Sequence, residues 1–317
     1  MLQYLLARML RIVPTLLLAV TLIFLAARVL PGDPAEALLG QNISQQAIET
    51  LRHQLGLNEP VWKQYLGYMG NLLRGNLGHS LVLGNPIVEL LGQVLPFTAI
   101  IVLGGILIGV TLGIPLGILC AVYRNSTIDY VTRLATLGGV SMPGFVIGIL
   151  LMGLFSLWLG WLPMVGGGEP GQPLSLLRHS VLPCLAGGLA MAAYVTRLAR
   201  STMLEVLREE YVRTARAKGL AERWVLYKHA LRNAFIPILT LIGIYTIVMV
   251  GDSITIEIVF SRPGFGRLIQ GGIAQRDYTM LQSILMLYVA FAAIVNLILD
   301  LIYGFLDPRI KYTRREF

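Results

Sequence analysis

Long apolar runs separated by short polar stretches dominate the chain. Six of them, near residues 9–29, 97–121, 134–160, 180–198, 235–256 and 281–305, reach the length of about 17–25 residues that a helix needs to cross a hydrocarbon core. None alternates apolar and polar positions as a barrel strand does. In lipid every backbone N–H and C=O must be satisfied internally, so these runs predict helices. The expected fold class is an all-α polytopic membrane protein with six transmembrane helices. One transmembrane domain is expected over 1–317: a first helix at 1–29, an outer segment at 30–96, core helices at 97–305 and a tail at 306–317.

Patterns within these segments predict local detail. In the outer segment Ser44 suits the cap of a helix carrying Ile48, Leu51 and Leu55 and stopping at Gly56. A second helix opens on Pro60 and gathers Val61, Trp62, Tyr65, Leu66, Met69, Leu72 and Leu73 on one buried side. This pair either lies on the bilayer or bundle surface or forms part of a platform for an external partner. Gly105, Gly109, Gly113 and Gly117 recur every four residues in the second span, a spacing that lets a helix backbone come close to another, in this chain or in a partner. In the third span Pro143, within Ser141-Met142-Pro143-Gly144, frees a carbonyl and allows a bend, either a packing kink or a gate.

Composition agrees with the pattern: 56% hydrophobic residues, 13% charged residues and a mean hydropathy of +0.71 are far from soluble-domain values. Charge sets the orientation. With the N-terminus inside, seventeen of the 25 Lys and Arg residues fall in inner segments, among them Arg8, Arg11, Arg124, Arg133 and nine between Arg197 and Arg232. The positive-inside rule therefore places both termini in the cytoplasm and accounts for the basic pI without nucleic acid as a partner. Arg8 and Arg11 before an apolar run resemble a secretion signal, but LPGDPA at 30–35 reads as a helix stop and turn, so an uncleaved first span is expected. Cys120 and Cys184 both fall within spans and are expected to be packing residues.

The sequence offers little chemistry of its own. No Lys is followed by Ser or Thr, which excludes a G-x-x-x-x-G-K-[ST] phosphate loop. There is no H-E-x-x-H helix and no G-x-S-x-G elbow, and His53, His79, His179 and His229 are scattered. The chain is therefore expected to be no enzyme and to bind no cofactor or metal. An ion-coupled carrier is an alternative, but ionisable residues within the spans are few: Asp252 and Glu257 near one end of the fifth and Asp300 in the last.

The segment 199–236 is the most informative. Ser201 to Lys218 has helix formers with Met203, Val206, Leu207, Tyr211 and Val212 at helical spacing, and Gly219 stands where a stop belongs. A second helical run from Ala221 to Asn233 places Trp224, Tyr227, Leu231 and Ala234 on a common side before Pro237. An angled helical pair on the inner membrane face is predicted, with a solvated basic surface as the bland account of several arginines.

RTARAKGL at 213–220 followed by KHALRNAFIP at 228–237 resembles the EAA loop of ABC importer permeases, and more narrowly the dipeptide, oligopeptide and nickel permease family. FLAARVLPGDPA at 24–35, QLGLNEPVWKQY at 54–65, VSMPGF at 140–145, VFSRPGFGRL at 259–268, RDY at 276–278 and LDPRIKY at 306–312 resemble further family signatures in order. The resemblance implies a type I ABC importer permease in a bacterial or archaeal cytoplasmic membrane. Its implied partners are a second homologous permease, two ATP-binding subunits that hold ATP and Mg, and a periplasmic or lipid-anchored solute-binding protein. It implies that Gly219 and the helix with Arg213, Thr214, Ala215 and Lys218 insert into an ATPase groove, while His229, Arg232 and Asn233 brace the second helix. The generic loop has Glu, Ala and Pro at Arg213, Thr214 and Arg232, which weakens side-chain transfer but not membership. The expected cargo is a di- or oligopeptide, with chelated nickel, glutathione or opine-like solutes as alternatives.

One departure bears on cargo. The family usually pairs glycines where this chain has Gly251-Asp252. A carboxylate inside a span is costly unless it meets water or a cation. Asp252 is therefore expected either to face the path and favour cationic groups or to be satisfied locally by Ser253 or a neighbouring helix end. Asp252, Ser253, Met142 and Pro143 form the expected substrate path.

Overall fold

The computed structural model describes residues 2–29, 45–54 and 56–306. Every regular element among them is helical: α1 Leu2–Val29, α2 Gln45–Gln54, α3 Val61–Leu73, α4 Ile87–Val122, α5 Thr127–Ser141, α6 Gly144–Met152, α7 Pro173–Val206, α8 Glu210–Ala217, α9 Glu222–Trp224, α10 Leu231–Val259, α11 Phe265–Ala274 and α12 Tyr278–Leu306. Two π-helical turns, Gly153–Trp158 and Val225–Ala230, extend α6 and join α9 to α10. Five helical stretches are long and apolar enough to cross a membrane, and six if α5 and α6 count as one span. The chain divides into two compact units, Met1–Pro96 with Gly264–Ala293 and Phe97–Pro263 with Ile294–Phe317.

In the first unit Phe24 of α1 is buried under Tyr65 and Tyr68 of α3, at ring separations of 5.3 and 5.6 Å. The predicted side of α3 is only partly engaged: Val61, Trp62, Leu66 and Leu73 are exposed. Of the α2 expectations, Gly56 adopts φ +65° after the helix, as a C-terminal stop requires, whereas Ser44 and Leu55 lie outside the described residues. Buried Asp277, just before α12, accepts the Ser80 hydroxyl at 2.5 Å and the Met280 N–H at 3.1 Å. This joins the loop before α4 to the start of α12.

The second unit is built on the glycine stripe, which serves a contact within the chain. A Cβ added at Gly109 would lie 2.6 Å from Met191 Cγ, one at Gly113 2.7 Å from Val195 Cβ, and one at Gly117 2.5 Å from Ala199 Cβ and 2.8 Å from the Thr196 carbonyl oxygen. The α4 backbone therefore runs directly against α7, and α7 is the most enclosed of the spans. Around it Ile101, Met152, Leu182, Ala186, Ile256 and Phe260 from α4, α6, α7, α10 and the turn after α10 form one buried cluster.

The third span bends where Pro143 allows it, and sharply enough to break into two helices. α5 and α6 meet at 107° across Met142-Pro143, because Pro143 has no N–H to continue α5 and its φ of −57° suits the start of a new helix. Cys120 and Cys184 are buried and unlinked.

The backbone contacts of Gly117 allow no escape by side-chain rotation. Gly117→Ala is expected to destabilise the purified protein by about 1–3 kcal/mol. Gly138→Ala, where an added Cβ meets nothing within 4 Å, is expected to be neutral or stabilising by up to about 1 kcal/mol. Thermal unfolding in detergent separates the two, and equal melting temperatures would refute close α4–α7 packing.

Candidate functional site

The basic segment folds into two short limbs pinned by one apolar contact. Val212 and Ala215 of α8 and Val225 of the following π turn are buried together, with Val206 and Leu207 packed against them. The continuous helix expected from Ser201 to Lys218 is interrupted at 207–209. On a straight helix Val206 and Val212 would lie roughly 120° apart, so the break lets both cover Val225.

Gly219 makes the turn between the limbs. Its φ is +76°, a conformation that costs an L-residue about 1–2 kcal/mol, yet an added Cβ would meet nothing within 4 Å. Its requirement is thus conformational. Across the turn Arg216 and Glu222 form a two-pronged ion pair at 2.6 and 3.2 Å, which holds the Arg216 guanidinium above its usual pKa. Asn233 at the start of α10 donates to the Tyr211 hydroxyl at 2.8 Å, tying that helix back to α8.

The second limb departs from the expected register. Trp224 and Tyr227 are 53% and 61% exposed, while Val225, Ala230 and Ala234 are buried. The π turn inserts one residue per hydrogen-bonded cycle, which brings the five-apart pair Val225 and Ala230 inward and turns the aromatics out. Arg213, Thr214, Lys218, Gly219 and Arg232 are exposed, Ala215 is buried and His229 is half-buried. Thr214 commits its hydroxyl to the Glu210 carbonyl. Arg213, Lys218, Arg223 and Arg232 are all exposed and basic.

Asp252 lies half-buried on α10, and among the described residues its carboxylate accepts no hydrogen bond. Local satisfaction by Ser253 is ruled out: Ser253 is fully buried and donates to the Val250 carbonyl at 2.8 Å. Two turns before Asp252, Tyr245 packs on Tyr194 of α7 at 5.0 Å, and the Tyr194 hydroxyl lies 3.5 Å from the Val140 carbonyl beside the break. Met142 and Pro143 are exposed at that break. Ser253 therefore belongs to the core, whereas Asp252, Met142 and Pro143 remain accessible.

Polar ties that the sequence did not announce hold this frame. Asp129, fully buried at the start of α5, receives Arg200 of α7 through two hydrogen bonds of 2.6 and 2.7 Å. Glu257 of α10, also fully buried, accepts the Thr98 hydroxyl of α4 at 2.5 Å. Arg262 follows in the turn after α10, with bonds of 2.7 Å to Ser180 Oγ and 3.0 Å to the His179 carbonyl, and its guanidinium lies over Phe97. Pairing distant charges requires knowing which helices meet, so spacing alone carried no signal. Among the described residues no group of His, Cys, Asp or Glu is placed to hold a metal ion.

Comparison with known families decides the assignment. Residues 113–312 match the family described as binding-protein-dependent transport system inner membrane component, and residues 1–99 match its N-terminal companion. This chain belongs to that family of ABC importer permeases. The permease is 38% identical over 312 residues to the glutathione transport system permease protein GsiC of Escherichia coli strain K12, covering 98% of this chain and 100% of the relative. The corresponding protein of Salmonella typhi is 39% identical over the same length. Among solved structures, a chain of the MetNI methionine ABC transporter in an inward-facing conformation shares the fold at a TM-score of 0.56 and 19% identity, covering 69% of this chain and 97% of that chain. The permease is accordingly a multi-pass inner membrane protein.

Removing the central contact separates packing from charge. Val225→Ala is expected to speed amide hydrogen exchange across Glu210–Ala217 by tenfold or more, taking about 1.5 kcal/mol as the loss for a buried Val. Glu222→Gln, at a solvent-exposed pair, is expected to change it by less than about fivefold. A larger effect from Glu222→Gln would mean that the ion pair, not Val225, holds the limbs.

Proposed function

We propose that this permease forms half of a translocation path with a second homologous permease. Two ATP-binding subunits, holding ATP and Mg, dock on α8 from the cytoplasm, and a solute-binding protein delivers cargo from the opposite side. The observation that carries this reading is the pinned pair of limbs: α8 fixed through Val212 and Ala215 to Val225, with a basic, partly aromatic face left outside. A braced helix transmits a rotation of an attached domain into the spans, whereas a flexible loop absorbs it. Arg213, Lys218, Trp224 and Tyr227 supply the docking face, and Gly219 sets its angle. Ala215 acts from within, and Asn233 braces α10 through Tyr211.

The proposed cargo is a small peptide, with glutathione, itself a tripeptide, the first solute to test because the similar permeases bear that name. Asp252, accessible and without a hydrogen-bonding partner among the described residues, lies two turns along α10 from Tyr245, which packs on Tyr194. In a water-filled path it favours an ammonium group over a neutral or anionic one.

The deciding experiment reconstitutes the permease with its partner subunits and binding protein and follows ATP hydrolysis and uptake against glutathione, dipeptides, oligopeptides and nickel chelates. Stimulation by one class identifies the cargo. Uptake by the permease alone under an ion gradient would contradict the reading. Gly219→Val, costing about 1–2 kcal/mol of backbone strain at the turn, is expected to lower coupled uptake at least about tenfold while leaving thermal stability of the spans unchanged. Asp252→Asn is expected to reduce uptake of peptides with a free amino terminus relative to N-acetylated ones; equal effects on both would remove Asp252 from the path.

A further inference from the structure

A second site lies away from the limbs and from Asp252. Between α5 and α7, at the end where α7 leads toward α8, is a cavity of about 550 Å³ whose walls include Arg133 from α5 and Arg197 and Arg200 from α7. Arg200 is committed to the buried Asp129 carboxylate. Arg133 and Arg197, both exposed, have no carboxylate within ion-pairing distance among the described residues. Of the three guanidinium groups in the wall only Arg200 is paired with a carboxylate, which leaves two positive charges without a counter-charge in ion-pairing reach among the described residues.

Hydroxyl groups complete the lining. Thr132 and Thr136 face it from α5, and Thr196 and Ser201 from α7. Thr196 is only 2% exposed, and among the described residues its hydroxyl has no hydrogen-bonding partner. A buried hydroxyl without a partner carries a desolvation penalty that a bound acceptor would relieve. The cavity's remaining edge is apolar and exposed: Tyr130, Leu134 and Leu137 of α5.

We propose that this cavity binds the phosphate headgroup of an anionic phospholipid, with Arg133 and Arg197 pairing the charge, Thr196 donating to a phosphate oxygen, and Tyr130, Leu134 and Leu137 lying along the acyl chains. A soluble phosphate shares the headgroup chemistry but has no use for the apolar edge. α5 and α7 both belong to membrane-crossing segments, which places this edge where lipid chains run. Basic pockets between spanning helices recognise such headgroups by the same charge pairing. Since the cavity bridges α5 to the helix that leads to α8, an occupying lipid would brace the base of the proposed ATPase-docking element.

The test uses the full-length chain in nanodiscs of phosphatidylcholine, with or without phosphatidylglycerol, and reads retained lipid by native mass spectrometry after detergent release. Phosphatidylglycerol is expected to be retained in preference to phosphatidylcholine. Arg133→Gln/Arg197→Gln is expected to weaken retention about 25-fold, roughly fivefold per arginine, and Thr196→Val about fivefold. Arg124→Gln, an exposed arginine at the nearby turn that does not line the cavity, is expected to change retention by less than about twofold. Should the double variant fail to fold, Thr196→Val decides. Equal retention of the two lipids, an equal loss in Arg124→Gln, or displacement by inorganic phosphate at matched concentration would each overturn the assignment, the last by making this a soluble-anion site.

Discussion

The approach of α4 to α7 is the constraint on which the second unit depends. In lipid, apolar side chains gain little by leaving the solvent, so helices associate through van der Waals contact and polar ties. Gly109, Gly113 and Gly117 remove the side chains that would hold the α4 backbone away from Met191, Val195 and Ala199. With α7 fixed on one side, α6 and α10 close on the other around Ala186 and Ile256. Gly144 and Gly148 leave room for α6 to pass Ile256, Phe260 and Ala186 after the break at Pro143.

Polar ties then lock the ends of this apolar frame. The Asp129–Arg200 pair joins α5 to α7 near α8, while at the other end Thr98–Glu257 joins α4 to α10 and Arg262–Ser180 joins the turn after α10 to α7. Such groups are expensive to bury singly and specific when paired. Between these ends the lining near the Pro143 break is softer, with Tyr194, Tyr245 and Asp252 only partly enclosed. Rigid ends around a less committed middle suit a protein that alternates access to a path. Under the proposed docking, α8 is the point at which an external rotation would enter that frame.

Much of this was legible in the sequence because it rests on local rules. Apolar run length located the spans, the four-residue glycine period announced a close helix contact, Pro143 marked the break, and Gly219 the turn. Features that depend on which helices meet were not legible. The exposure of Trp224 and Tyr227 follows from a π turn that helical periodicity does not reveal, and the interruption at 207–209 follows from Val206 and Val212 sharing one partner, Val225. Arg200 read as one more inside charge until Asp129 was found against it. Ser253 read as a partner for Asp252, but adjacent residues on a helix point about 100° apart, and its hydroxyl turns to the Val250 carbonyl.

The central claim is that α8 moves as one body with the base of α10. Spin labels at Arg213 and Arg232, both exposed, report their separation by pulsed electron resonance in the assembled transporter without nucleotide and with ATP trapped. A single narrow distance that stays the same in both states is the predicted result. A broad distribution, or a distance that shifts when ATP binds, would show that the limbs flex and contradict the account.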